Sequence, residues 1–268
     1  MLGASGRTEG LEATFRPDSS NMGSDRETRM SSLSKVRPGR PRLIPDIGVG
    51  TPREQVLEAA ARLFTSKGFA ATSTREIAEA VGIRQASLYY HFAGKDEILA
   101  ALLATTVRPT QMVVEEIVAL VPPERVETAL CLLALVDIDT LAQVPHNVGV
   151  LYQLPDVVSA TNLDHASFRQ AHSELTDAYA DLGAQLATRH GVTAPPPALA
   201  SMLIQQVEGV ITLRADGNDV DRDRAIEIAA GCLRLCGCDQ TEADNAIRRA
   251  IALQDQLRLG ASTGRADP

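Results

Sequence analysis

TSTREIAEAVGIRQASLYYHFAGK, residues Thr72–Lys95, reads as two short helices joined by a tight turn, and the rest of the chain is organised around it. Ser73 or Thr74 can cap the first helix, and Glu76, three residues after Ser73, supplies the return half of a capping box. Ile77, Ala78 and Val81 form one apolar edge. Gly82 then offers the left-handed backbone that commonly ends a helix, and Ile83 is the hydrophobic residue that pins the turn. The second helix, Gln85 to His91, is largely polar, yet Leu88 and Phe92 are apolar at helical spacing. One edge therefore anchors and the other faces outward.

Two helices across a short glycine turn match the helix-turn-helix, whose second helix enters the major groove of DNA. Glutamine pairs bidentately with adenine, arginine with guanine, and serine with several base edges. Arg75, Arg84, Gln85 and Ser87 are accordingly the candidates for base readout. Thr74, at a helix N-terminus that favours phosphate, and Tyr89, Tyr90, His91 and Lys95 are candidates for positioning contacts. A merely solvated polar helix is the simpler alternative, but it rarely carries two adjacent tyrosines and a histidine.

The order of signals goes further. Gly68-Phe69, Thr72-Ser73-Thr74, Ile77-Ala78, Gly82, the run Ser87 to Phe92 and the run Lys95 to Leu99 follow one another such that Thr51 to Leu103 resembles the DNA-binding domain of tetracycline-repressor-like (TetR family) transcriptional regulators. The resemblance covers about a fifth of the chain. It implies that Thr74, Arg75, Gln85, Ala86, Ser87, Tyr89, His91 and Lys95 approach bases or phosphates. Arg84 stands where many relatives place a serine that caps the reading helix, which leaves the operator sequence open. The implied fold is all-α: a three-helix helix-turn-helix domain at 51–96, then a larger helical ligand-binding and dimerisation domain at 97–258, and a short tail at 259–268.

Composition agrees with that class. The 268 residues are 44% hydrophobic, enough for a packed core, and only 3% aromatic, with no tryptophan. The formal net charge of −8 does not exclude DNA, because the local footprint decides nucleic-acid binding. No apolar run approaches the length that crosses a bilayer, and no hydrophobic leader core stands at the N-terminus, so no membrane partner and a cytoplasmic location are expected. Of the four cysteines, Cys131, Cys232, Cys236 and Cys238, three fall in CLRLCGC. That spacing matches no standard zinc pattern and no histidine lies nearby in sequence, so these are expected to be buried small hydrophobes, with neither metal nor cofactor.

Along the chain, residues 1–50 read as a disordered extension in which Met22 and Met30 are alternative starts. Within it the proline-stiffened run 35–42 carries Arg37, Arg40 and Arg42, either an arm entering a minor groove or a solvated basic tail. Thr51-Pro52-Arg53-Glu54 starts the first helix, whose stripe of Val56, Leu57, Ala60, Leu63 and Phe64 ends at Gly68. Lys95 opens a connector helix that Pro109 should kink or interrupt after Val107 or Arg108. Further helices are expected at 110–120, 123–143, 147–154, 161–190, 197–215, 221–236 and 241–258.

Two of these helices bear on function. The apolar sides of 221–236, together with Leu199, Leu203, Val207, Val210 and Ile211 on 197–215, suggest a two-fold dimer interface. Phe168, His172 and Tyr179 share a face of 161–190, which directs polar groups at a core and marks an effector pocket, with Tyr152, His165, Arg214 and Gln111 as further lining candidates. A satisfied core histidine is the competing reading of His172. No Ser-His-Asp spacing, glycine-rich phosphate loop, HExxH motif or paired carboxylate is present, which argues against an enzyme. The expected function is a homodimeric repressor, released from a palindromic double-stranded DNA operator by a small-molecule effector. The alternative is an effector-independent activator or architectural DNA-binding protein.

Overall fold

The computed structural model describes residues 50–154, 157 and 166–263, and among the described residues there are ten α-helices and no strand. The arm bearing Arg37, Arg40 and Arg42 lies outside them, as does His165. The helices are α1 Pro52–Lys67, α2 Thr74–Val81, α3 Gln85–His91, α4 Lys95–Gln111, α5 Val114–Leu120, α6 Val126–Gln143, α7 Ala166–Arg189, α8 Pro196–Ala215, α9 Arg222–Leu235 and α10 Gln240–Thr263. Two 3₁₀ segments, Pro123–Arg125 and Pro145–Gln153, join them on either side of α6.

Local chemistry sets the first boundaries. Thr51 and Glu54 close a reciprocal capping box on α1, with Pro52 in the first turn, and Ser73 and Glu76 do the same for α2. Gly82 ends α2 at φ 73°, and the Ile83 amide donates to the Ala78 carbonyl at 3.0 Å. The connector behaves differently from the expectation at Pro109. Helix α4 runs through Pro109 to Gln111 and breaks only at Met112 and Val113. The reason lies one residue on: buried Thr110 donates to Asp137 Oδ1 at 3.1 Å on α6, and that anchor holds the last turn in helical geometry.

Two apolar cores result. The larger is built on α6, a helix buried almost all round, surrounded by α4, α7, α8, α9 and α10. The smaller holds Val56, Phe64, Phe69, Ile77, Leu88, Phe92, Ile98, Leu99 and Leu103 from α1 to α4. It also takes Val144, Val148, Leu151 and Val157 from the far side of the chain.

That borrowing depends on the Pro145–Gln153 elbow. His146 and Asn147 sit at φ 56° and φ 50°, left-handed backbone that is uncommon outside glycine. Asn147 Nδ2 donates to the Ile211 carbonyl at 2.8 Å, and the Arg214 guanidinium donates to the carbonyls of Leu141 (2.6 Å) and Val144 (2.8 Å). A Cβ at Gly149 would lie 2.7 Å from Ile211 Cδ1, so the close pass over α8 requires glycine. Thus anchored, the elbow drives Val148 and Leu151 into the smaller core.

Candidate nucleic-acid interface and effector cavity

Helix α3 is hung by its apolar side. Leu88 and Phe92 are sealed in the smaller core, and the Arg53 guanidinium lies 4.7 Å over the Phe92 ring. The opposite side is open: Gln85, Ala86, Ser87, Tyr89 and Tyr90 are exposed, Tyr90 by 87%. His91 is half-buried, its ring edge-on to Tyr90 at 5.3 Å. Arg84 sits at the N-cap with no side-chain cap bond, which leaves its guanidinium exposed and free of a capping duty.

Thr74 ties the two helices together. Its hydroxyl accepts from Gln85 Nε2 at 2.9 Å and lies 3.2 Å from the Tyr89 hydroxyl. Arg75 is held along α2 by Glu79, with Nε 2.8 Å from Oε1. Glu76 is bonded by Lys67 and by Ser73, and these contacts pull its carboxyl down to about 2. Lys95 makes intramolecular contacts that the sequence did not show. Its ammonium donates to the Phe69 carbonyl at 2.8 Å and lies 4.3 Å from the Phe69 ring centroid, so it clamps the α1–α2 turn to the start of α4.

Beside the larger core an open cavity of about 650 Å³ is lined by Tyr152, Phe168, Arg169, His172, Ser173, Thr176 and Glu208, of which Arg169 and Ser173 are exposed and the rest half-buried. Tyr152 and Phe168 stack at 5.8 Å, and His172 lies 5.9 Å beyond Phe168. Burial lowers the His172 pKa and raises that of Glu208, in each case at the expense of the charged form. Tyr152, Phe168 and His172 thus line one cavity, together with Arg169, Ser173, Thr176 and Glu208. Arg169 and Thr176 were legible, lying three and four residues from His172 on one helix, and Ser173 follows four residues after Arg169.

Three other lining candidates sit elsewhere. Tyr179 shares a helix face with His172 but lies seven residues, about 10 Å, further along the axis. It is fully buried and donates to Asp137 Oδ2 at 3.0 Å. Arg214 is spent on the elbow, and Gln111 Nε2 donates to Glu174 at 2.6 Å. The interface residues read from sequence also move inward: Leu199, Leu203, Val207, Val210 and Ile211 are buried inside this chain against α6 and α7. Finally, the cysteine run does have a histidine beside it, His190, brought in by the fold.

A polar helix suspended over a small core, joined by one long helix to a bundle with a cavity, defines a helix-turn-helix regulator. The family model for bacterial regulatory proteins of the tetR family matches residues 56–102. The solved AmtR of Mycobacterium smegmatis is 37% identical, with a TM-score of 0.65, over 84% of this chain and 97% of that one. The repressor KstR2 of Mycobacterium tuberculosis (strain H37Rv) is 46% identical over 55 residues, 20% of this chain and only 28% of KstR2. AibR, solved with isovaleryl coenzyme A and operator DNA, shares the fold at 20% identity and a TM-score of 0.53, over 68% of this chain and 95% of that one. The chain belongs to the TetR family of bacterial regulatory proteins: it is a DNA-binding transcription regulator and not an enzyme. Among the described residues no single helix is long and apolar enough to cross a membrane.

Proposed function

We propose that the protein acts as a homodimeric repressor that leaves a palindromic operator when a small molecule occupies the cavity beside Phe168. The observation that carries this reading is the continuity of α4: its first turn packs in the reader's core, and its last turn is bonded to α6 of the cavity domain. A change in the cavity domain therefore re-aims α3. The match to a named repressor across the reader supports repression.

Gln85, Arg84, Ser87 and Arg75 read bases, while Thr74, Ala86, Tyr89, Tyr90 and His91 set the helix against phosphates and sugar. Arg37, Arg40 and Arg42 add contacts beside the helix. Two copies pair through the solvent sides of α8 and α9, where Met202 is 47% exposed and Gly209 has open space around it. The effector is a small amphipathic molecule with a flat apolar part on Tyr152 and Phe168 and a hydrogen-bond donor directed at Glu208.

Selection from a random duplex pool at low salt tests the reading. Enrichment of a palindrome with half-sites about one helical turn apart is the expected outcome. Failure to enrich any sequence removes the reader. Enrichment of a site that no compound in a metabolite panel releases leaves an effector-blind DNA protein instead.

A further inference from the structure

A second cluster, remote from both the reading helix and the Phe168 cavity, gathers three ligand-bearing side chains. His190 follows the last turn of α7, Cys238 ends the α9–α10 turn, and Glu242 lies in the first turn of α10. His190 Nε2 is 3.0 Å from Glu242 Oε2 and 3.8 Å from Cys238 Sγ, and all three donor atoms lie within 4.8 Å of one another. A tetrahedral zinc-class ion with ordinary bond lengths needs its N and O ligands about 3.4 Å apart and its N and S ligands about 3.6 Å apart. Movements of a few tenths of an ångström would bring the two pairs that His190 makes to those values.

The turn that carries the cysteine is shaped for this approach. Gly237 sits at φ 93°, and a Cβ there would lie 2.8 Å from His190 Cβ and 2.8 Å from Val192 Cγ2. Only glycine lets Cys238 come down beside the imidazole. The backbones on all three sides are held: His190 N–H donates to Leu186 O at 3.2 Å, Cys238 N–H to Leu233 O at 3.2 Å, and Glu242 N–H to Asp239 Oδ1 at 2.9 Å. Ligands fixed in this way lose little freedom when an ion arrives.

We propose that His190, Cys238 and Glu242 form a three-ligand site for a thiophilic divalent ion of the zinc class, stapling the ends of α7, α9 and α10. Charge balances, since a neutral imidazole, a thiolate and a carboxylate cancel the dication. Glu127, the nearby buried carboxylate, is engaged by Arg189 at 3.0 Å and Arg249 at 3.8 Å and is not a fourth ligand. A surface cleft lined by Asp239, Thr241, Glu242, Asn245 and Arg249 reaches the trio at Glu242. The site rests on no assumption about operator or effector.

The test is cobalt(II) titration of the full chain after chelator treatment. One ion per chain should bind, with intense four-coordinate visible bands and a near-ultraviolet thiolate-to-cobalt charge-transfer band, both abolished by added zinc(II). Cys238→Ser should remove the charge-transfer band. His190→Gln and Glu242→Gln should each weaken binding by about tenfold or more, while Cys236→Ser, outside the trio, leaves it intact. Absence of the charge-transfer band in the unaltered protein, or its survival in Cys238→Ser, overturns the site. The spectrum of the unaltered protein decides even where a variant fails to fold.

Discussion

Thr74 shows how much of the reading surface is committed before DNA arrives. Its hydroxyl engages both Gln85 and Tyr89, so the glutamine amide is already presented at a fixed angle and must trade one bond for another on meeting a base. We expect Gln85→Ala to cost about 1–3 kcal/mol of operator affinity and to relax preference at one base pair. Fluorescence anisotropy on single-base operator variants measures it, and an equal loss on every sequence would reassign the residue to positioning. Lys95 leads to the opposite expectation. Because its ammonium clamps the Phe69 carbonyl and ring, Lys95→Met should lower the free energy of unfolding by roughly 1–3 kcal/mol. An unchanged denaturation midpoint together with a flatter salt dependence of binding would restore the phosphate role. The sequence made Lys95 a cation near DNA, and it could not show that a turn 26 residues earlier folds back to take up the charge. Tyr179 and Arg214 repeat the lesson: polarity and periodicity placed them indoors, but which indoor partner each meets is set by packing.

Among the elements, those punctuated by Gly82, Pro122-Pro123, Pro195 and Gly217 were legible, since caps, breakers and the 3.6-residue period act within a few residues. The elbow was not. Its left-handed residues are His146 and Asn147 in place of glycine, and Val148 and Leu151 carry no mark saying which of two cores they enter. Asn147 combines a tolerated left-handed backbone with a side-chain bond to the Ile211 carbonyl. Asn147→Ala loses both and should destabilise by about 1–3 kcal/mol, whereas Asn147→Gly keeps the backbone freedom and should cost less. Urea unfolding ranks the two; equal losses would mean that the backbone conformation contributes nothing measurable. The Pro109 result belongs at this level too. The helix carries past its proline where Val107 and Thr110 are buried on either side and Thr110 is bonded to a neighbouring helix.

For the molecule as a whole, the buried Asp137 carboxyl links α4, α6 and α7 through Thr110 and Tyr179. Burial raises its pKa to about 7, against the opposing pull of those two hydroxyls and with a small upward push from Glu208. The folded protein therefore binds this proton more tightly than the unfolded chain does. The stability it contributes is full below the ordinary carboxylate range and is lost as pH climbs through about 7. Melting temperature should fall between about pH 5 and about pH 8, and Asp137→Asn should flatten that fall. A slope identical in both proteins would place the proton elsewhere. Pairing is tested at the same scale: Met202→Glu puts a charge into the proposed α8–α9 contact and should halve the mass seen by sedimentation, leaving helical content unchanged. A dimer that survives it uses another surface. The chain has no tryptophan and four tyrosines, two exposed on the reading helix, one on the cavity wall and one sealed in the core. Its tyrosine emission thus arises at those three places alone, which makes the unlabelled protein its own optical reporter: duplex on the proposed reading helix should dim the exposed pair, and a molecule in the cavity should perturb Tyr152.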